Sequence, residues 1–315
     1  MKLTFTSFLL FTIFGFGQNE IQVYPALKLL QQFEKVRDFT MTQSGNEAYF
    51  TIQSANEEVS VIASSTKDGN SWNTPHIASF SGEYKDLEPF LSPDGLQLYF
   101  VSNRPLNPSE EVKDFDIWFV KRSDLSSDWS EPINMGSPVN SDSNEFYPAV
   151  SKNGNLYFTC DCPGAIGRDD IFYAEHKNDT YAKPVPLDAN INSEGFEYNA
   201  FISSDESYLM FGGYNRKDGQ GSGDIYISYN HGNGNWSKAK PLPIGINSKY
   251  MDFCPFMDEA NDMLYFTSRR SSKPSKRIES IQKLSNFLGT YQNGNSRLYK
   301  AKIDLEGFKN HKTKS

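Results

Sequence analysis

Basic charge, histidine and cysteine are all scarce in this chain. Lysine and arginine number 31 against 39 acidic residues, leaving a net charge of −8. The clustered basic footprint that neutralises phosphates is therefore missing, and a nucleic-acid partner is excluded. The 4 histidines, at positions 76, 176, 231 and 311, form no metal-spaced pair. No Ser-His-Asp arrangement or phosphate-binding glycine loop is visible either. Cys160, Cys162 and Cys254 are the only cysteines, and an odd number without framework spacing excludes a fold held by disulfides. Cys160-Asp161-Cys162, lacking a second pair or a nearby histidine, is a weak zinc pattern and reads as two strand-end cysteines. Helical periodicity is confined to residues 278–288. Beyond residue 16 no apolar run approaches the about 18 residues that a membrane-spanning helix needs.

What is present begins with an address. Residues 1–17 carry one positive charge at Lys2, an apolar run over residues 3–16, and small residues ahead of Gln18. This reads as a cleaved secretory signal, and the rest, residues 18–315, as one exported domain, periplasmic or secreted. No cysteine follows the run to take a lipid.

The rest is a repeat. SPDGLQLYFVSNR at Ser92 is echoed by SKNGNLYFTCD at Ser151 and DEANDMLYFTSRR at Asp258. Each copy is preceded by an acid, then Pro or Ala three residues on: Asp86 and Pro89, Glu145 and Pro148, Glu197 and Ala200, Asp252 and Pro255. A further strand opens with Asp116, Asp170 and Asp224, 54 residues apart each time, and with Arg297 in the last copy. A fourth element begins with an aromatic residue, Trp72, Trp129, Tyr181 or Trp236, and has a proline or alanine three residues later. Their fixed offset makes these rings blade-packing residues. Thr42 to Phe50 is a degenerate first copy. Units of four short aromatic-rich strands with Gly, Asn and Asp turns are propeller blades, giving an all-β, five-bladed propeller. A sixth blade would need another copy, which the sequence does not contain. The fifth copy lacks its fourth strand. Pro25 stands before Gly45 at the spacing that separates Pro75 from Gly95, so residues 21–27 are expected to close the last blade.

The pattern SPDG-x-x-LYF-x-S-x-R, followed by Asp-Ile-Tyr, resembles the WD40-like repeats called PD40, found in TolB-like propellers, over residues 37–304. The resemblance implies the fold and leaves function open, because such propellers scaffold proteins, bind ligands and sit inside enzymes. The extra N-terminal domain of TolB proteins is missing here, so their role is not carried over.

Two features bear on a site. The loops between second and third strands are long and dissimilar (residues 103–115, 161–169, 213–223 and 270–296), and variable loops on a regular scaffold are where binding resides. Arg104, Arg269, Arg270, Lys273, Lys276 and Arg277 lie there, the last five in or beside the basic insertion at 270–296, and are expected to contact a partner. Asp86, Glu145, Glu197 and Asp252 are expected to ring the channel mouth. They can fix turns by accepting backbone hydrogen bonds, hold a cation such as Ca2+, or cleave a glycan, as five-bladed glycosidases do with three inner-strand acids. Acid catalysis requires carboxylates in unlike environments, and repetition of one position favours a structural device. The expectation is an exported, non-catalytic module docking an envelope protein or a glycan, without a cofactor. The alternative is a polysaccharide-active glycosidase using those carboxylates.

Overall fold

The computed structural model describes residues 21–310, apart from Asn70 and Pro108; the expected signal segment lies outside the described residues. Five antiparallel sheets follow one another along the chain, the first four with their strands in the order of the sequence and the fifth with its outer strand taken from the start of the chain. The inner strands are Lys35–Met41, Asp86–Leu91, Glu145–Val150, Phe196–Ile202 and Asp252–Asp258. They lead to second strands such as Gln97–Ser102 and Leu156–Cys160, which are buried on both faces because each blade is covered by its neighbours. That double burial explains why the second strands read as unbroken runs like LYFV and LYFT instead of alternating. The turns joining inner to second strands are tight. Gly95 there takes φ 72° and donates its N–H to the Ser92 carbonyl, a left-handed position that glycine occupies without strain.

The third strands open with Asp116, Asp170 and, one residue after the strand start, Asp224. Outer strands begin just after the proline or alanine of the fourth element, as in His76–Ile77 and Ile133–Asn134, while Trp72 and Tyr181 lie in short strands that precede it, Ser71–Trp72 and Thr180–Tyr181. Trp129 and Trp236 reach into the preceding blade. Trp129 of blade 2 packs edge-on against Tyr49 of blade 1 and donates its indole N–H to the Tyr49 hydroxyl over 2.7 Å. Trp236 of blade 4 meets Tyr157 of blade 3 in the same way. The insertion of blade 5 carries the expected helix, Ile281–Leu288, capped by the Ser280 side chain and packed against nothing that buries it.

The fifth blade is completed by the start of the chain. Val23–Pro25 pairs antiparallel with the third strand, Arg297–Lys302, in the register Val23 to Ala301. Arg297, which stands where other blades have aspartate, donates to the carbonyls of Phe33, Glu34 and Gln31 and so ties the first connector to the last strand. The ring has no open sheet edge at this seam. Truncation of the chain through Pro25 should expose the edge of Arg297–Lys302. Thermal melts and size-exclusion chromatography should then show a lower melting temperature and self-association, whereas a truncated chain matching the full one in both would contradict this closure.

Candidate functional site

The four repeated acids lie between blades and not at the channel mouth. Asp86, Glu145, Glu197 and Asp252 have no exposed surface, and each begins, or in Glu197 nearly begins, an inner strand that the preceding connector crosses. Ser141, Ser193 and Ser248, four residues upstream, donate both backbone N–H and hydroxyl to Glu145, Glu197 and Asp252. Ser81 donates its hydroxyl to Asp86 over 2.8 Å. An arginine from the loop after the second strand then neutralises three of the four. Arg104 meets Asp86 at 2.7 Å, Arg216 meets Glu197 at 2.9 Å and Arg270 meets Asp252 at 2.8 Å. The same guanidinium groups donate to the carbonyls of Phe80, Ile191 and Ile246 in the connectors. Of the readings open for these acids, the geometry is that of a latch between blades.

One partner of the latch was not anticipated. Asn140, Asn192 and Asn247, each just before its serine, grip both backbone groups of Ile117, Ile171 and Ile225 in the third strand of the preceding blade. The Asn-Ser pair that recurs ahead of Glu145, Glu197 and Asp252 is visible in the sequence and would have identified it.

Blade 3 differs. Its acid, Glu145, faces Cys160 and Cys162, each sulfur 3.7 Å from Oε1, and no arginine. Burial pushes its carboxyl up to about 7 against the opposing bonds from Ser141. Cys160 and Cys162 are bonded to each other as a disulfide.

The axis is lined two residues further along each inner strand. Every inner strand carries a bulge at that point, and the bulged residues all adopt positive φ: Asp38 58°, Glu88 59°, Tyr147 52°, Asn199 57° and Cys254 50°. For side-chain-bearing residues this conformation costs free energy of roughly 1–3 kcal/mol each, and it turns the five side chains toward one another. Together they line a small axial cavity of about 40 Å³.

Arg37 stands over this ring. Its Nε donates to Asp38 at 2.8 Å, and its Nη2 reaches Glu88 at 3.3 Å and the Tyr147 hydroxyl. The Cys254 thiol donates to Asp38 at 2.8 Å, while Asp38 Oδ2 has no partner among the described residues. Burial would lower the Arg37 pKa, but the surrounding Asp38, Tyr147, Cys254 and Glu88 outweigh it and hold the guanidinium charged. Glu88 is pushed up to about 8 by burial, which exceeds the opposing pull of Arg37.

Above Arg37 and Glu88 opens a cavity of about 540 Å³, walled by Phe115, Phe146, Tyr147 and Tyr198 and rimmed by Lys85, Glu57 and Asp169. Lys35, hydrogen-bonded to Glu57, lowers that carboxyl's pKa, whereas burial and the neighbouring Asp161 and Asp170 raise that of Asp169. Gln53 Oε1, Thr159 Oγ1 and the Tyr198 hydroxyl, all from residues of this wall, lack hydrogen-bond partners among the described residues. The cavity thus joins acids in unlike environments, an aromatic wall and unsatisfied polar groups.

The basic residues expected to bind a partner divide into two sets. Arg104 and Arg270 are committed to the latches, which corrects their expected availability. Arg269 is part-buried over the Phe253 ring and bonded to Ser296. Lys273, Lys276 and Arg277 are exposed on the insertion.

No protein-family model matches the chain, and no curated protein matches its sequence. Solved structures do match. A glycoside hydrolase aligns with TM-score 0.56 and 8% identity, over 90% of this chain and 91% of its own. The catalytic domain of a Coprinopsis cinerea GH62 alpha-L-arabinofuranosidase gives 0.53 and 9%, over 90% and 96%. A GH43 endo-arabinanase from Bacillus licheniformis gives 0.50 and 14%, over 87% and 96%. The chain also spans 37% of the length of a Mycobacterium tuberculosis puromycin-hydrolyzing peptidase, at TM-score 0.42.

These likenesses establish the five-bladed fold and correct the expectation of a non-catalytic docking module. The neighbours that the chain matches over their whole length are carbohydrate-active propellers, and none of those named here points to an envelope-protein partner. Repetition of one position marks the latch acids as structural. It does not reach Asp38 and Glu88, which are not repeated.

Two expected outcomes test this geometry. Arg104→Ala leaves Asp86 buried without its cation and should cost roughly 3–5 kcal/mol in urea unfolding, while Lys276→Ala on the exposed insertion should stay within about 0.5 kcal/mol of the parent. Equal effects would contradict the latch. The second concerns pH. Glu88 ionises at about 8 in the folded chain against an ordinary value of 4.5, so the folded chain holds the extra proton between those limits. The stability it contributes is complete below 4.5 and is lost as pH rises through about 8. Glu145, at about 7, adds a slope of the same sign. Melting temperature should therefore fall across this window, and Glu88→Gln should flatten the part nearest pH 8; an unchanged slope in the variant would contradict the assignment.

Proposed function

We propose that the protein is a glycoside hydrolase whose site is the cavity of about 540 Å³ above Arg37 and Glu88, with Glu88 as the proton donor. The observation that carries this reading is the position of Glu88, which lines the aromatic-walled cavity beside Arg37, with its carboxyl raised to about 8. A carboxylic acid that keeps its proton at neutral pH can protonate the oxygen of a glycosidic bond as that bond breaks. Asp38, joined to Glu88 through the one guanidinium of Arg37, is the second carboxylate that such hydrolysis requires, acting on the sugar carbon directly or through a water. Arg37 holds the two acids in fixed positions and balances the negative charge of the pair. The rings of Phe146 and Tyr198 offer apolar faces to a sugar, and the unsatisfied polar groups on the wall suit its hydroxyls.

The substrate class is an oligosaccharide or polysaccharide. The arabinose-releasing and arabinan-cleaving activities of the neighbours make arabinose-containing glycans the first to try. Export by residues 1–17 and a PD40-like repeat scaffold belong to the same proposal and place the enzyme where such glycans are met.

The test is turnover of arabinan, arabinoxylan and pectic oligosaccharides, followed by release of reducing ends. Glu88→Gln should lower kcat by about 10²–10⁴-fold while the variant melts cooperatively. Failure to cleave any of these glycans, or full activity in folded Glu88→Gln, would overturn the proposal.

A further inference from the structure

Blade 3 replaces its latch in one chemical direction. In blades 2 and 5 the second strand ends with Ser102 opposite Asp86 and Ser268 opposite Asp252, and the arginine follows two residues later, at Arg104 and Arg270. Blade 3 pairs Cys160 with Glu145 and has Cys162 two residues later. The hydroxyl and the cation of the latch have both become sulfur, yet the acid remains. Glu145 is fully buried, its Oε1 is taken by Ser141, and its Oε2 has no hydrogen-bond partner among the described residues. Among the described residues no arginine or lysine forms an ion pair with it. A carboxylate buried without a cation is costly, and in this repeat the three equivalent acids each have one.

The two sulfurs and one Glu145 oxygen lie within 4.8 Å of one another. Ser141 Oγ stands 3.9 Å from Cys162 Sγ. We propose that Glu145, Cys160 and Cys162, with the cysteines in the dithiol form, bind a thiophilic divalent cation of the Zn2+ class in place of the arginine used by the other blades. Two thiolates and a carboxylate select Zn2+ over Mg2+ or Ca2+, which prefer all-oxygen sites. The Ser141 hydroxyl or a water completes the coordination. Binding displaces one proton from each thiol. The disulfide seen here is the metal-free form; converting it to the dithiol takes two electrons and two protons, supplied by a dithiol reductant that is itself oxidised to a disulfide. The site adjoins the proposed cleft, because Phe146 and Tyr147 follow Glu145 directly and Asp169, which ends the loop that contains Cys162, is on the cavity rim.

The experiment uses the full chain, reduced with a phosphine, stripped of metal by a chelator, and titrated with Cd2+ while the thiolate-to-metal charge-transfer absorption is followed. One equivalent should saturate the band, and Zn2+ should displace it. Glu145→Gln should weaken binding by about tenfold or more. Cys162→Arg, which supplies the residue that the other latches use, should stay folded and give no band, although Cys254 is retained. The absence of a thiolate band in the reduced parent would overturn the proposal. So would a band that survives in Cys162→Arg, or equally tight Cd2+ binding by the oxidised chain.

Discussion

A carboxylate without access to water must find its counter-charge inside the fold, and the junctions between blades are organised around that demand. Asp86, Glu197 and Asp252 each gather a serine from the connector and an arginine from a loop. The preceding asparagine in blades 3, 4 and 5 ties the same connector to the strand behind it. Each group satisfies another that could not be buried alone. The result fixes where one blade ends and the next begins, and so the angle at which successive inner strands meet the axis. The placement of the central side chains depends on it.

At the axis the same backbone is put to a different use. The bulge repeats in all five inner strands, but its residue does not: Asp38, Glu88, Tyr147, Asn199 and Cys254 occupy one structural position with five chemistries. A repeat that conserves its geometry while varying one axis-facing residue is a scaffold presenting a composite site. Arg37 adds to this asymmetry. Its neighbours at the equivalent position are Leu87, Phe146, Tyr198 and Phe253, so a single charge sits in a ring of apolar side chains.

Most of the fold is legible in the sequence because its causes are local and recur. The turn at SPDG, the doubly buried LYF strand and the spacing of Pro25 to Gly45 each state their role without reference to distant residues, and the ring closes as that spacing requires. The site is less legible for the opposite reason. The acids that draw attention by repeating, Asp86 and Asp252 among them, repeat because they are structural. Glu88 lies two residues from Asp86 and looks like a variable position inside the motif. Only the bulge, a backbone event that no residue type announces, separates the acid turned into the junction from the acid turned to the axis. Arg104 and Arg270 mislead similarly. On a loop they look free, and their partners are acids 18 residues earlier in the chain.

The strand Val23–Pro25 is made first and placed last. Its partner, near Ala301, does not exist until almost the whole chain has been synthesised. The four blades between can form from contacts close in sequence, each stabilising the next. The last blade instead closes a loop as long as the protein, at an entropic cost that grows only slowly with length but must be met before any of its contacts form. Ring closure should accordingly be the late and slow event in folding, and the seam in blade 5 the place where a folded molecule first opens.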